Sequence, residues 1–172
     1  MSIRPILTAP DPRLKAVSEA VESVDGEVRT LIADMIETMY EADGIGLAAI
    51  QVGVARRILV LDIDQRDGER NPRAFINPVI TWASDETAVM EEGCLSVPEI
   101  WDEVERSVAI KAQYLDIDGK AQTLEADGLL AVCLQHEMDH LDGILFLDHL
   151  SKLKRSIALR KLTKAKKLKK AG

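Results

Sequence analysis

The apolar period of the chain changes at Asp127-Gly128-Leu129-Leu130-Ala131-Val132-Cys133-Leu134-Gln135-His136-Glu137-Met138-Asp139-His140-Leu141-Asp142-Gly143, where a strand-like pattern gives way to a helical one. Leu130, Cys133, Leu134, Glu137 and Leu141 recur at spacings of three and four, and Gly143 is set to end the helix. Upstream, the strand candidates are short: residues 57–62, 74–82, 87–90, 104–115 and 121–124, with Asp118-Gly119 as the hairpin turn between the last two. Earlier still, Val28, Leu31, Ile32, Met35, Ile36, Met39 and Tyr40 mark one face of a helix that begins near Asp25 and is ended by Asp43-Gly44. Residues 44–51 read as a loop, and residues 1–23 as an irregular opening broken by Pro5, Pro10 and Pro12. A last helix fits residues 151–169. This order predicts an α+β fold of short, mostly antiparallel sheets packed around the central helix, with an N-terminal and a C-terminal helix. With no internal repeat and no linker, residues 1–172 are expected to form one domain, of which 151–172 is a basic tail.

Composition narrows the function. The 172 residues are 47% hydrophobic and 30% charged, which suits a globular domain rather than a fibre or a disordered chain. The longest uncharged runs, 44–50 and 128–134, fall far short of the roughly 20 apolar residues of a membrane-spanning helix. The N-terminus has neither a signal-peptide nor a transit-peptide pattern, so a cytoplasmic protein is expected. All 29 acidic residues lie in 1–150, whereas ten of the 22 basic ones crowd into 151–172 with no acid among them. Such asymmetry points to a polyanionic partner for the basic end, against the plainer reading of a solvated terminal helix that balances an acidic body.

His136-Glu137-Met138-Asp139-His140 is an H-E-x-x-H in the central helix. The i, i+4 spacing puts both imidazoles on one face, able to grip one metal ion, with Glu137 beside them as a general base for hydrolysis. The pattern is short, and a surface helix with charges at ordinary spacing would produce it too. In the longer H-E-x-x-H-x-x-G-x-x-H pattern Gly143 is present, but Phe146 stands where the third histidine would be. No Glu follows Glu137, and His149 reads as a surface histidine at a helix start. A third ligand must therefore come from upstream. A reducing compartment favours metal binding or burial for the two cysteines over a bridge. Cys133 shares the helical stripe of the histidines and reads as a small core residue lining the site. Cys94, in Glu92-Gly93-Cys94-Leu95-Ser96, can arrive from another direction, the alternative being a buried free cysteine.

Gly44-Ile45-Gly46-Leu47-Ala48-Ala49 also fits a dinucleotide-binding fingerprint, with Asp62 near the spacing of a ribose-binding acid. That reading fails on context, because the fingerprint must follow a strand and open a helix, and here a helix precedes it and a strand follows.

Taken together and in this order, 44–51 (Gly44 to Gln51), 92–96 (Glu92 to Ser96) and 135–143 (Gln135 to Gly143) resemble the three signature motifs of the peptide deformylase family. Ala55, and Ile100-Trp101 after Cys94, depart from the family's usual residues. The resemblance implies a hydrolase that removes the N-formyl group from the initiator methionine of nascent polypeptides and releases formate. It implies one divalent metal per chain on Cys94, His136 and His140, iron(II) in the cell, with zinc, nickel or cobalt able to substitute. A water activated at the metal would attack the formyl carbon, with Glu137 taking the proton and returning it to the leaving amine. The Gln51 amide and the Leu95 backbone N–H would hold the oxyanion. Ile45, Gly46 and Gly93 would pair with the extended N-formylmethionyl peptide, and Cys133 would line its pocket. A monomer is expected, with the basic C-terminal helix against the ribosome. The alternatives are another metallopeptidase, or a non-catalytic metal-binding module on the ribosome.

Overall fold

The computed structural model describes residues 1–171. After a short 3-10 turn at Pro12–Lys15 the chain forms α1 (Gly26–Glu41), β1 (Gly46–Ala48), β2 (Ile58–Leu61), β3 (Arg73–Ala83), β4 (Thr87–Cys94) and β5 (Val97–Ser107). β6 (Ala109–Leu115), β7 (Ala121–Asp127), α2 (Gly128–Leu141), a 3-10 turn at Phe146–His149 and α3 (Lys152–Ala171) complete it. Five strands form one antiparallel sheet in the order β1-β2-β3-β6-β7, and β4 and β5 pair as a separate two-stranded ribbon. The expected α+β architecture, antiparallel sheets around a helix bearing H-E-x-x-H, is the one observed.

The larger sheet lies between α1 and α2. β2 is apolar throughout because both its faces are covered. Ile58 and Val60 join Ile32, Met35 and Met39 of α1 in one cluster, while Leu59 and Leu61 join Leu134, Met138 and Leu141 of α2 in another. Helix α1 starts where the Asp25 carboxylate accepts a hydrogen bond from the Val28 N–H at 3.0 Å. A third cluster, with Val97, Val104, Leu145, Phe146, Ala158 and Leu162, joins the ribbon to α3.

Two features differ from the expectations. Residues 104–115 are two strands in different sheets, because the chain turns at Val108. There the Ser107 hydroxyl donates to the Ser84 carbonyl at 2.9 Å, and the Ser84 hydroxyl accepts from the Ala109 N–H at 3.1 Å. Residues 46–48, within the expected loop, pair with Leu59, Val60 and Leu61 as an edge strand too short to carry an alternating pattern. In α3 the docked stripe contains Ala158 and Leu162, whereas Leu153, Ile157 and Leu168 point outward at 71%, 45% and 65% exposure.

Gly143 closes α2 as anticipated, with φ of +74°. A Cβ there would sit 2.3 Å from the Lys15 carbonyl oxygen, which is backbone and cannot swing aside. Gly143→Ala is therefore expected to lower stability by at least ~2 kcal/mol, from the left-handed conformation and the clash together, measured as a shift in urea midpoint.

Candidate metal centre

Two elements bring the site together. Helix α2 carries His136 and His140 one turn apart, and the β4–β5 ribbon delivers Cys94 from the opposite side. One potential ligand atom from each of the three lies within 4.8 Å of the others. The Cys94 Sγ to His140 Nε2 distance is 3.4 Å, close to the ~3.5 Å that two tetrahedral ligands of one ion would have with metal bonds of about 2.0–2.3 Å. The set fits a divalent cation chemically as well: two imidazoles and a thiol suit zinc or iron(II). Burial pulls the His140 pKa well below the ordinary histidine value, and nearby His136 and Arg106 add to this, so a neutral ring with a free lone pair is favoured.

Cys133 behaves differently. Burial pushes its thiol up to about 12, so it stays protonated and is a poor ligand. It lines the cleft, as the sequence suggested.

His136 is oriented from behind. Its Nδ1 lies 2.8 Å from Glu92 Oε1, and a carboxylate can only accept, so the proton sits on Nδ1 and leaves Nε2 for a metal. Glu92 in turn receives a two-pronged bond from Arg106, Nε to Oε2 at 2.6 Å and Nη2 to Oε1 at 3.0 Å. Burial works to raise the Glu92 pKa, but the bonds from His136 and Arg106 overcome it and hold the carboxyl below its usual range. Neither Glu92 nor Arg106 was singled out for this role from sequence; Glu92 adjoined the cysteine motif, but nothing paired it with Arg106.

Glu137 is buried, and its carboxylate lies against Gly46: a Cβ there would come within 2.8 Å of Oε1, so the glycine makes room for it. Oε2 is buried without a hydrogen-bond partner among the described residues. Burial pushes this carboxyl up to about 7, and a cation at the histidines would draw it down again. Gln51 is pinned by its Oε1, which accepts from the Ala48 N–H at 2.8 Å. That aims Nε2 at the Ser96 hydroxyl, 3.0 Å away, and at Cys94 Sγ, 3.6 Å away.

Cys94, Cys133, His136 and Glu137 border a cleft of about 480 Å³ that Ile45, Gly46, Gly93 and Leu95 also line. Of the residues read from sequence as catalytic, substrate-binding or metal-binding, these eight line the cleft, while Gln51 and His140 do not line it but reach Cys94 Sγ. The Ile45 carbonyl already accepts from the Asp62 N–H at 2.9 Å. Trp101 lies over Gly93 and walls the cleft. His149 is exposed just before α3, as expected of a surface histidine at a helix start, and its Nε2 is 2.8 Å from Asp139 Oδ2.

Residues 3–156 match the family described as Polypeptide deformylase. A peptide deformylase of Phenylobacterium zucineum is 58% identical over 164 residues, covering 95% of this chain and 97% of the relative. One of Rhizorhabdus wittichii is 58% identical over 177 residues and covers both chains fully. Among solved structures, a peptide deformylase from Legionella pneumophila superposes with a TM-score of 0.92 at 45% identity, covering 99% of each chain. One from Ehrlichia chaffeensis in complex with actinonin superposes at 0.91 and 47% identity, covering 96% of this chain and 98% of that one.

Glu92→Ala leaves the Arg106 guanidinium buried with only Asp139 as a charged partner, and removes the acceptor of His136. A destabilisation of about 3–5 kcal/mol is expected by urea denaturation.

Proposed function

This chain belongs to the polypeptide deformylase family, and on that premise we propose that it removes the formyl group from the N-terminal methionine of nascent polypeptides with Cys94, His136 and His140 holding one divalent cation. The observation that carries the reading is the convergence of these three ligands, from two separate elements, beside a buried Glu137 in one cleft. A cation there supplies Lewis acidity, polarising the formyl oxygen and acidifying a water towards a pKa of about 7. Glu137 takes that water's proton and returns it to the departing amine nitrogen, and its buried, unpartnered Oε2 suits both transfers. The Gln51 amide N–H and the Leu95 backbone N–H donate to the oxygen that gains charge. Backbone groups of Ile45, Gly46 and Gly93 pair with the extended peptide, while Leu129, Val132 and Cys133 form an apolar wall for the methionine side chain. We assign a monomer acting in the cytoplasm. Among the described residues no helix is long and apolar enough to cross a membrane.

Iron(II) is the cation we assign in the cell, with zinc, nickel or cobalt able to replace it. The α3 helix is assigned to the ribosome. Its ten basic residues would meet ribosomal RNA phosphates, and the outward Leu153, Ile157 and Leu168 add apolar contact.

Formate release from formyl-Met-Ala-Ser by anaerobically purified protein is the direct test. Release is expected with the formylated peptide, and Glu137→Ala should abolish it while keeping metal bound; cleavage of unformylated Met-Ala-Ser instead would mean a peptidase. Activity at native metal content should decay in air and persist in nickel-loaded protein, and oxygen-insensitive activity would count against iron. Replacing the exposed Lys161, Lys164, Lys167 and Lys170 with Gln, which leaves the buried Ala158 and Leu162 in place, should weaken co-sedimentation with ribosomes at low salt and leave small-peptide turnover intact; unchanged sedimentation would remove the ribosome assignment.

A further inference from the structure

The ion pair behind His136 continues beyond it. Arg106 uses its third prong, Nη1, to donate to Asp139 Oδ2 at 2.9 Å. Asp139 stands three residues after His136 on the same helix, so His136, Glu92, Arg106 and Asp139 close a ring through α2. A guanidinium is planar and rigid, so an acceptor held at Nη1 helps to fix the plane in which Nε and Nη2 grip Glu92. The same Asp139 oxygen receives His149 Nε2 at 2.8 Å. His149 ends the 3-10 turn Phe146–His149, whose first residue, buried Phe146, stacks on the His136 ring with centroids 6.2 Å apart and planes at 28°. This turn therefore reaches His136 twice, directly through Phe146 and in relay through His149. The far end opens away from the catalytic cleft: Arg106, Asp139 and His149 border a different groove, of about 790 Å³, with Gln135 and Arg57.

We propose that Asp139 and His149 are positioning residues for His136, acting through Arg106 and Glu92 to hold the imidazole at the angle that retains the metal. They touch neither substrate nor metal. The inference rests on the ligand set proposed above.

The test uses the full chain loaded with Co²⁺, whose visible bands report ligand geometry, and a chelator that competes for the ion. Asp139→Ala is expected to weaken retention by about 10-fold, the low end of the effect of removing a group that orients a ligand, and to shift the bands. His149→Ala should do the same to a smaller extent, and His149→Gln, which keeps a donor, should restore it. Lys15→Gln serves as the control, because it breaks the 2.6 Å pair between Lys15 and Asp148 on the same turn with Asp139 and His149 kept, and removing its positive charge near His140 should not weaken retention. Parent-like retention and bands in both alanine variants would overturn the proposal, as would equal weakening by Lys15→Gln, since loosening of the turn would then explain the effect. Failure of the unsubstituted chain to bind Co²⁺ would instead overturn the ligand set, and this inference with it.

Discussion

The buried Glu92–Arg106 pair is the contact on which the arrangement of the site depends. Two charges at about one-twentieth side-chain exposure carry a desolvation cost that only close geometry and full hydrogen bonding repay. Here repayment requires both strands of the ribbon and α2 at once, because Glu92 lies on β4, Arg106 on β5, and His136 and Asp139 on the helix. Cys94, two residues beyond Glu92 along the strand, inherits its position from that pair. The ribbon shares no strand with the larger sheet, so this ionic seam and the apolar cluster beneath it set its angle to α2.

The rest of the molecule keeps α2 still. The helix lies on a sheet whose other face is closed by α1, so Leu134 and Leu141 are fully buried while His136 and His140 face the ribbon. The edge strand β1 then brings Gly46 against Glu137, and the turn after it brings Gln51 towards Cys94. Glu137, His136 and His140 on α2, Cys94 on β4 and Gln51 on the turn thus come from three short segments held by two packed faces. Pre-organisation of that kind lets buried dipoles act without rearranging during reaction.

Much of this was legible in the sequence, and the reasons differ by element. His136, Glu137 and His140 could be read together because helical periodicity turns a four-residue spacing into a shared face. Cys94 needed the added argument that one helix cannot surround an ion. Glu92–Arg106 and Asp139–His149 were not legible: the first crosses a ribbon whose register is interrupted between Glu92 and Cys94, and the second depends on how a 3-10 turn folds back on α2. The break at Val108 has no signal in the sequence, because residues on both sides of it favour strands and the hydrogen bonds of the Ser84 and Ser107 hydroxyls make the turn. In α3 the docked stripe of Ala158, Leu159 and Leu162 could not be told in sequence from the outward Leu153, Ile157 and Leu168, because both sets are apolar.

Trp101 resting on Gly93 has a consequence for how such a chain can change over generations. A methyl group at 93 would lie 2.3 Å from the indole, and the ring, 66% exposed, would be turned away from the strand it covers. The two positions therefore behave as a single unit of variation, small under large. While glycine stays at 93 the ring can lie flat on the strand, whereas a larger residue at 93 requires the ring to swing outward or to be replaced.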